Sequence, residues 1–376
     1  MPKPKVALYG LTTEAYKLAG VLVDKAEVTI IDETLQMAMD LNAGFLKKNP
    51  DLDELMNQEP LLSFKPLEQV LGGAEVIFFT PRLRRPSDES LIEASSKMRD
   101  LARHLPRNSN LINSLPTGPG GNSENIMLLE KQTGLRVGDS LVYSYMPLRL
   151  DEPGSSVVAN AGAKERPMLE VLGFPQNSQN VFSAELEYSS RVLEEAMMSV
   201  TEIELSRKAR EARVVVHSDK DVYMSEFSRH LHDLRAIQAS DEAGESISYL
   251  AGATLKSLEN YVRYLVDETR EILKERELKA SRTKISLVWD LDRYEMRGDR
   301  LQLAESIQQR LRDYVTDVEI VSSSKVKGGG EVLDPLKHNV VIACSRADYE
   351  SLKHLRKGHG EGDVTVIKAT PALSRE

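Results

Sequence analysis

The sequence predicts an α/β protein with a parallel sheet at its N-terminal end, long central helices, and a second, smaller α/β domain. Three observations predict it. Short apolar runs alternate with helically spaced apolar residues through the first half of the chain. From Ala184 to Arg213 there is neither glycine nor proline. The alternation then returns after Lys284. Such alternation implies right-handed βαβ crossovers and parallel strands. At 376 residues, 41% apolar and 28% charged, the chain can fill two or three cores.

In chain order, Lys5 to Tyr9 is an apolar run ending at Gly10. Ala15, Leu18, Ala19 and Leu22 then follow at helical spacing, and Val28 to Asp32 is a second apolar run. This predicts strand, helix, strand. A helix is expected over Leu35 to Leu41. Val76 to Thr80 has the unbroken apolar character of a strand buried on both faces. Leu91 to Leu105 predicts a helix, and Asn110 to Asn113 and Ser156 to Ala159 predict strands. Long helices are expected over Ala184 to Arg213 and over Ser246 to Leu278, and helices of that length join domains or pack against a partner subunit. Strands at Ile285 to Trp289, Val318 to Val321 and His338 to Cys344, with a helix at Leu301 to Leu311, make up the second, Rossmann-like domain. The stretch Ser322 to Leu333, with Lys325, Lys327 and Gly328 to Gly330, reads as a loop without Walker spacing. The expected boundaries are residues 1–182, 183–280 and 281–376.

A net charge of −9 with scattered basic residues argues against a nucleic-acid partner. One cysteine, Cys344, excludes an internal disulfide and any multi-cysteine metal site. The N-terminal stretch lacks the small-residue cleavage site of a secretory signal, and no apolar run approaches the roughly 20 residues of a membrane span. A cytoplasmic protein is expected. His230 and His232 lie two apart, and no zinc-binding or serine-hydrolase motif is present, so no metal is expected.

The chemistry is expected after the first strand, where a Rossmann-type domain sets pyrophosphate against a helix N-terminus. Gly10, Leu11 and Thr12 occupy that loop. The first glycine of G-x-G-x-x-G is kept as Gly10, the second is Thr12 and the third is Ala15. A threonine side chain thus stands on the expected phosphate path, and Glu14 adds negative charge. Asp32, 22 residues after Gly10, is placed to hold a ribose hydroxyl or simply to end its strand. Thr80 and Pro81 close a neighbouring strand, and Arg82, Arg84 and Arg85 follow. Arg82 and Arg85 are either phosphate or carboxylate ligands or solvated cations paired with Asp88 and Glu89. Tyr143, Tyr145 and Arg149 are further polar candidates near the cleft. Met197, Met198, Val200 and Leu205 read as core or subunit interface.

Together with Leu41 to Gly44, Ala74 to Pro81, Asn113 to Gly118, Glu185 to Tyr188, Trp289 to Arg297 and Val340 to Tyr349, these residues resemble the UDP-glucose/GDP-mannose (nucleotide-sugar) dehydrogenase family over most of the chain. The resemblance implies NAD as cofactor, a nucleotide sugar as substrate, and a homodimer formed through the central helix. It also implies a double alcohol oxidation through a cysteine thiolate, assisted by lysine, asparagine and glutamate. This chain departs from that set. Where the family has its cysteine stretch stand Asp241 to Ser248. Arg191 and Met197 stand at the asparagine and lysine, and Leu148 at the glutamate. Asp290 replaces a lysine contacting the sugar nucleotide, and Arg297 keeps the paired arginine. Methionine can neither move a proton nor stabilise an oxyanion, a loss of order 10² or more in rate. Two readings follow. One is a degenerate relative binding a nucleotide-type ligand or a protein partner. The other is an NAD-dependent oxidoreductase with reassigned chemistry, since oxidation to a ketone needs no thiolate.

Overall fold

A computed structural model describes residues 2–32, 61–63, 65–85, 88–149, 157–161, 168–212, 214, 222–322, 333–352 and 364–371. They form two compact units. The first comprises Met1–Arg191, Ala236–Ser248 and Tyr294–Gly298, and the second Val192–Arg235, Tyr249–Arg293 and Asp299–Glu376. The expected helix at Leu35 to Leu41, the Leu41 to Gly44 stretch and the loop residues Lys325, Lys327 and Gly328 to Gly330 lie outside the described residues.

The first unit is a seven-stranded sheet. Its strands are β1 (Lys5–Tyr9), β2 (Glu27–Ile31), β3 (Leu62–Ser63), β4 (Val76–Phe79), β5 (Asn110–Asn113), β6 (Val142–Tyr145) and β7 (Ala159–Ala161), in the order β3-β2-β1-β4-β5-β6-β7. Every pairing is parallel except β6 with β7. Connecting helices are α1 (Thr13–Leu22), α2 (Leu67–Gly73), α3 (Glu89–Ala102) and α4 (Gly121–Thr133). Four of the five residues of β1 and all of β4 are buried, as a sheet covered on both faces requires. α1 forms where Ala15, Leu18, Ala19 and Leu22 fall on one buried face behind an N-cap threonine. The sheet is the expected Rossmann-type one. β7 corrects the strand expected at Ser156 to Ala159: Ser156 is outside the described residues, and the pairing with β6 is antiparallel.

After the short α5 (Met168–Val171), α6 (Val181–Glu211) and α9 (Glu245–Glu275) each run 31 residues, about 46 Å at the helical rise. Between them lie α7 (Met224–Phe227) and α8 (Leu231–Gln238). Ala251, Thr254, Leu258, Tyr261, Leu265 and Thr269 fall on the buried side of α9, and Phe227 meets the Tyr261 ring edge-on at 4.8 Å. The second unit also holds an all-parallel four-stranded sheet in the order β11-β10-β8-β9. Its strands are β8 (Thr283–Val288), β9 (Val318–Val321), β10 (His338–Ala343) and β11 (Val364–Lys368), with α10 (Asp299–Arg312) and α11 (Arg346–Leu352). Met198 and Leu205 on α6 are 71% and 58% exposed, so among the described residues these two side chains are not core.

Candidate functional site

Strand order reverses between β1 and β4, and in open α/β sheets ligands bind outside the carboxyl ends of the strands at such a switch point. β1 and β4 end side by side, Tyr9 against Phe79, with their rings stacked 5.7 Å apart. The next residue, Gly10, has φ +121°. A Cβ there would overlap the Thr80 carbonyl oxygen and lie 2.9 Å from its carbon. Glycine is therefore dictated by the closeness of the two strand ends. Thr80 seals them, donating to the Tyr9 carbonyl from its amide at 3.0 Å and from its hydroxyl at 3.1 Å.

Beyond Gly10, Thr12 is buried and its hydroxyl accepts the Ala15 amide at 3.2 Å as the N-cap of α1. The side chain expected on the phosphate path is turned into the helix instead. Asp32 is buried at the end of β2. Two further groups at this helix start are taken by Tyr294–Gly298, which belongs to the same unit. The Thr13 amide donates to the Tyr294 carbonyl at 2.8 Å, and the Met296 amide donates to Glu14 Oε2 at 2.9 Å. On the far side of the crevice the Leu83 amide donates to the Met296 carbonyl at 2.8 Å, and Arg84 Nη1 donates to the Glu295 carbonyl at 3.0 Å. Met296 is fully buried in the unit's apolar core. Gly298 has φ +70°, and a Cβ there would lie 2.7 Å from the Leu83 carbonyl oxygen.

The basic loop is held by a residue not singled out from sequence. Glu93 Oε2 accepts the amides of Arg84 and Arg85 at 2.7 and 2.8 Å. Arg82 lies 4.8 Å over the Tyr294 ring, and its buried Nε has no hydrogen-bond partner among the described residues. Burial, then repulsion from Arg82, lower the Arg84 guanidinium to about 10, against the pull of Glu295, Glu93 and Glu14. Arg85 is exposed and Arg149 half-buried. Arg297 is buried, donating from Nη2 to the Leu148 carbonyl and the Tyr188 hydroxyl, each at 3.0 Å.

At α4 a second helix start meets a buried carboxyl. Glu185, buried on α6, accepts the Gly120 amide at 2.8 Å, the Asn122 amide at 2.7 Å, Asn122 Nδ2 at 2.8 Å and the Thr117 hydroxyl at 3.2 Å. Desolvation raises this carboxyl, opposed by those four donors. Asn122 Oδ1 in turn accepts Tyr143 Oη at 2.5 Å and Asn113 Nδ2 at 2.9 Å, and Tyr145 Oη accepts the Thr117 amide at 3.2 Å. Both tyrosines, expected near the cleft, are fully buried in this network. Glu185 occupies a buried position between Ala184 and Tyr188. An acid on the apolar face of a helix was the signal that could have found it.

No family model and no curated protein matches the chain. Solved structures do. It is similar to a UDP-glucose dehydrogenase from Pyrobaculum islandicum at 16% identity, with 98% of this chain and 94% of that one covered and a TM-score of 0.61. A UDP-D-ManNAc dehydrogenase from Pyrococcus horikoshii matches at 15% identity over 98% and 96%, TM-score 0.59. A UDP-N-acetyl-mannosamine dehydrogenase from S. aureus matches at 12% identity over 98% and 99%, TM-score 0.54. The fold is that of the nucleotide-sugar dehydrogenases.

On this dehydrogenase fold, Cys344 follows the end of β10 with no exposed surface, and burial, with the Asp348 carboxylate nearby, pushes its thiol well above the ordinary range. Met197 is 40% exposed on α6, Leu148 is buried, and Asp290 accepts the Ser322 hydroxyl at 2.8 Å. His230 pairs with Glu195 at 2.9 Å and lies 3.8 Å from Asp233. Among the described residues no group of three or more His, Cys, Asp or Glu side chains could hold a metal ion, and no helix is long and apolar enough to cross a membrane.

Proposed function

We propose that the protein is a catalytically degenerate relative of the nucleotide-sugar dehydrogenases that binds a nucleotide or nucleotide sugar in the cytoplasm without oxidising it. The observation that carries this is Cys344. The only thiol of the chain is sealed at the end of a buried strand with its thiolate disfavoured, so it cannot capture an aldehyde. At the lysine and glutamate positions, Met197 and Leu148 carry no proton to give. Ligand binding falls to Arg82, Arg85, Arg149 and Arg297, because guanidinium matches a phosphate in two-point geometry and the Arg82 Nε still lacks an acceptor. Thr80 and Pro81 form the adjoining wall.

The middle of the chain, residues 183–280, acts as a hub for a homodimer. Phe182, Leu186 and Met197 expose an apolar stripe along α6, with half-buried Leu193 and Val200 on the same face. In sedimentation, the wild type is expected to run as a dimer and a Leu186→Glu, Met197→Glu double variant as a monomer. A monomeric wild type would end the hub reading.

Calorimetric titration with UDP and UDP-glucose, followed by absorbance at the NADH band with NAD⁺ present, tests the function. Saturable binding without NADH is expected. Accumulating NADH would instead favour the active oxidoreductase with reassigned chemistry.

A further inference from the structure

The dinucleotide crevice of this fold consists of groups that an incoming cofactor would have to find unengaged: the amides at the start of α1 for pyrophosphate, and the loops after β1 and β4 for the rest of the molecule. In this chain each wall is bonded to one short segment. Tyr294 takes the Thr13 amide. Met296 bridges the crevice, its amide on the Glu14 carboxylate and its carbonyl on the Leu83 amide, with Glu295 held by Arg84. The Met296 side chain is fully buried in the unit's core, and Gly298 turns the chain away through a conformation that places it against the Leu83 carbonyl.

We infer that Tyr294–Gly298 is a built-in occupant of the dinucleotide crevice, and that NAD is excluded from this protein by its own chain. Glu14 is central to the exclusion. A carboxylate in the first turn of α1 would repel a pyrophosphate there, yet it accepts a backbone amide, so its charge favours the segment and disfavours the cofactor. The residues present do not fit a dinucleotide while the segment is in place. The inference rests on the proposed function only for the identity of the crevice.

The test is amide hydrogen exchange of the full chain at Thr13, Leu83 and Met296, with and without millimolar NAD⁺ or ADP-ribose, alongside calorimetry. Strong protection unchanged by either compound, with no heat of binding, is expected. Saturable NAD⁺ binding by the wild type, or fast exchange at these three amides, would overturn the inference. Gly298→Ala, which sets a Cβ against Leu83 and strains φ, supplies the converse. Exchange at Leu83 and Met296 should quicken, and ADP-ribose binding should rise, each by about tenfold or more. Quickened exchange without a rise in ADP-ribose binding would overturn the occupant. NAD⁺ binding without turnover would defeat this inference alone, whereas NADH formation on a nucleotide sugar would defeat the proposed function as well.

Discussion

Gly10→Ala tests the geometry on which the crevice depends. Its φ of +121° is a conformation L side chains rarely adopt, costing about 1 to 3 kcal/mol. The new Cβ would also overlap the Thr80 carbonyl, a backbone group that cannot rotate away. The carbon of that carbonyl, 2.9 Å distant, must retreat by at least half an ångström to reach ordinary contact at 3.4 Å. Retreat pulls on the two Thr80 hydrogen bonds to Tyr9, and overpacking of this kind costs about 1 to 3 kcal/mol. A total near 4 kcal/mol lowers the melting midpoint of a unit this size by about 8 to 16 °C in scanning calorimetry. Gly20→Ala is the matched control. It lies exposed on α1 with nothing near its Cβ position, and should raise the midpoint through helix propensity by up to about 1 kcal/mol. If Gly10→Ala melted within about 2 °C of the wild type, β1 and β4 could not meet as described.

Other expectations concern single side chains. Cys344 should resist thiol reagents in native protein and react fully in denaturant; fast labelling of the native chain would refute its burial. Arg297→Ala should cost about 3 kcal/mol by removing the donor shared by Leu148 and Tyr188, read as a lowered urea midpoint. Burial lowers the His230 pKa, but hydrogen bonds to Asp233 and Glu195 outweigh it and raise it above 6.5. Its stabilisation is therefore complete below the unfolded-state pKa and fades as pH rises through the raised folded-state value. Urea midpoints followed upward from about pH 6 should fall in the wild type and stay flatter in His230→Gln, and parallel curves would contradict the pairing.

Much of the scaffold was legible because local pattern and tertiary burial agreed. β1 and β9 fall where apolar runs predicted them, α6 where glycine and proline vanish, and α9 within the long helix expected over Ser246 to Leu278. β6 escaped because Val142–Tyr145 buries a serine and two tyrosines through side-chain hydrogen bonds, so its pattern is not apolar. α4 escaped because its start has no capping side chain of its own; Glu185, 63 residues on from Asn122, supplies the acceptor. At the crevice, Gly10 was readable from spacing. Thr12 was readable as a departure from the glycine spacing, but not as the N-cap of α1 that its hydroxyl provides. The role of Tyr294–Gly298 had no local signature, since Glu14 and Met296 lie 282 residues apart.

That separation bears on how the protein is made. The first unit is assembled from three stretches of chain, the last ending at Gly298, while most of the second unit's own segments are interleaved or still to come. A ribosome releasing residues in order delivers β1 to β7 long before Met296 can reach Glu14. For about 7 to 27 s at ordinary synthesis rates, the nascent sheet waits after β7 with the start of α1 unbonded to its partner segment and the slot for Met296 open to water. The interval exposes apolar surface at the carboxyl ends of two interior strands, which gives chaperones a defined period of engagement and makes completion of the N-terminal unit an event timed by the C-terminal half of the message.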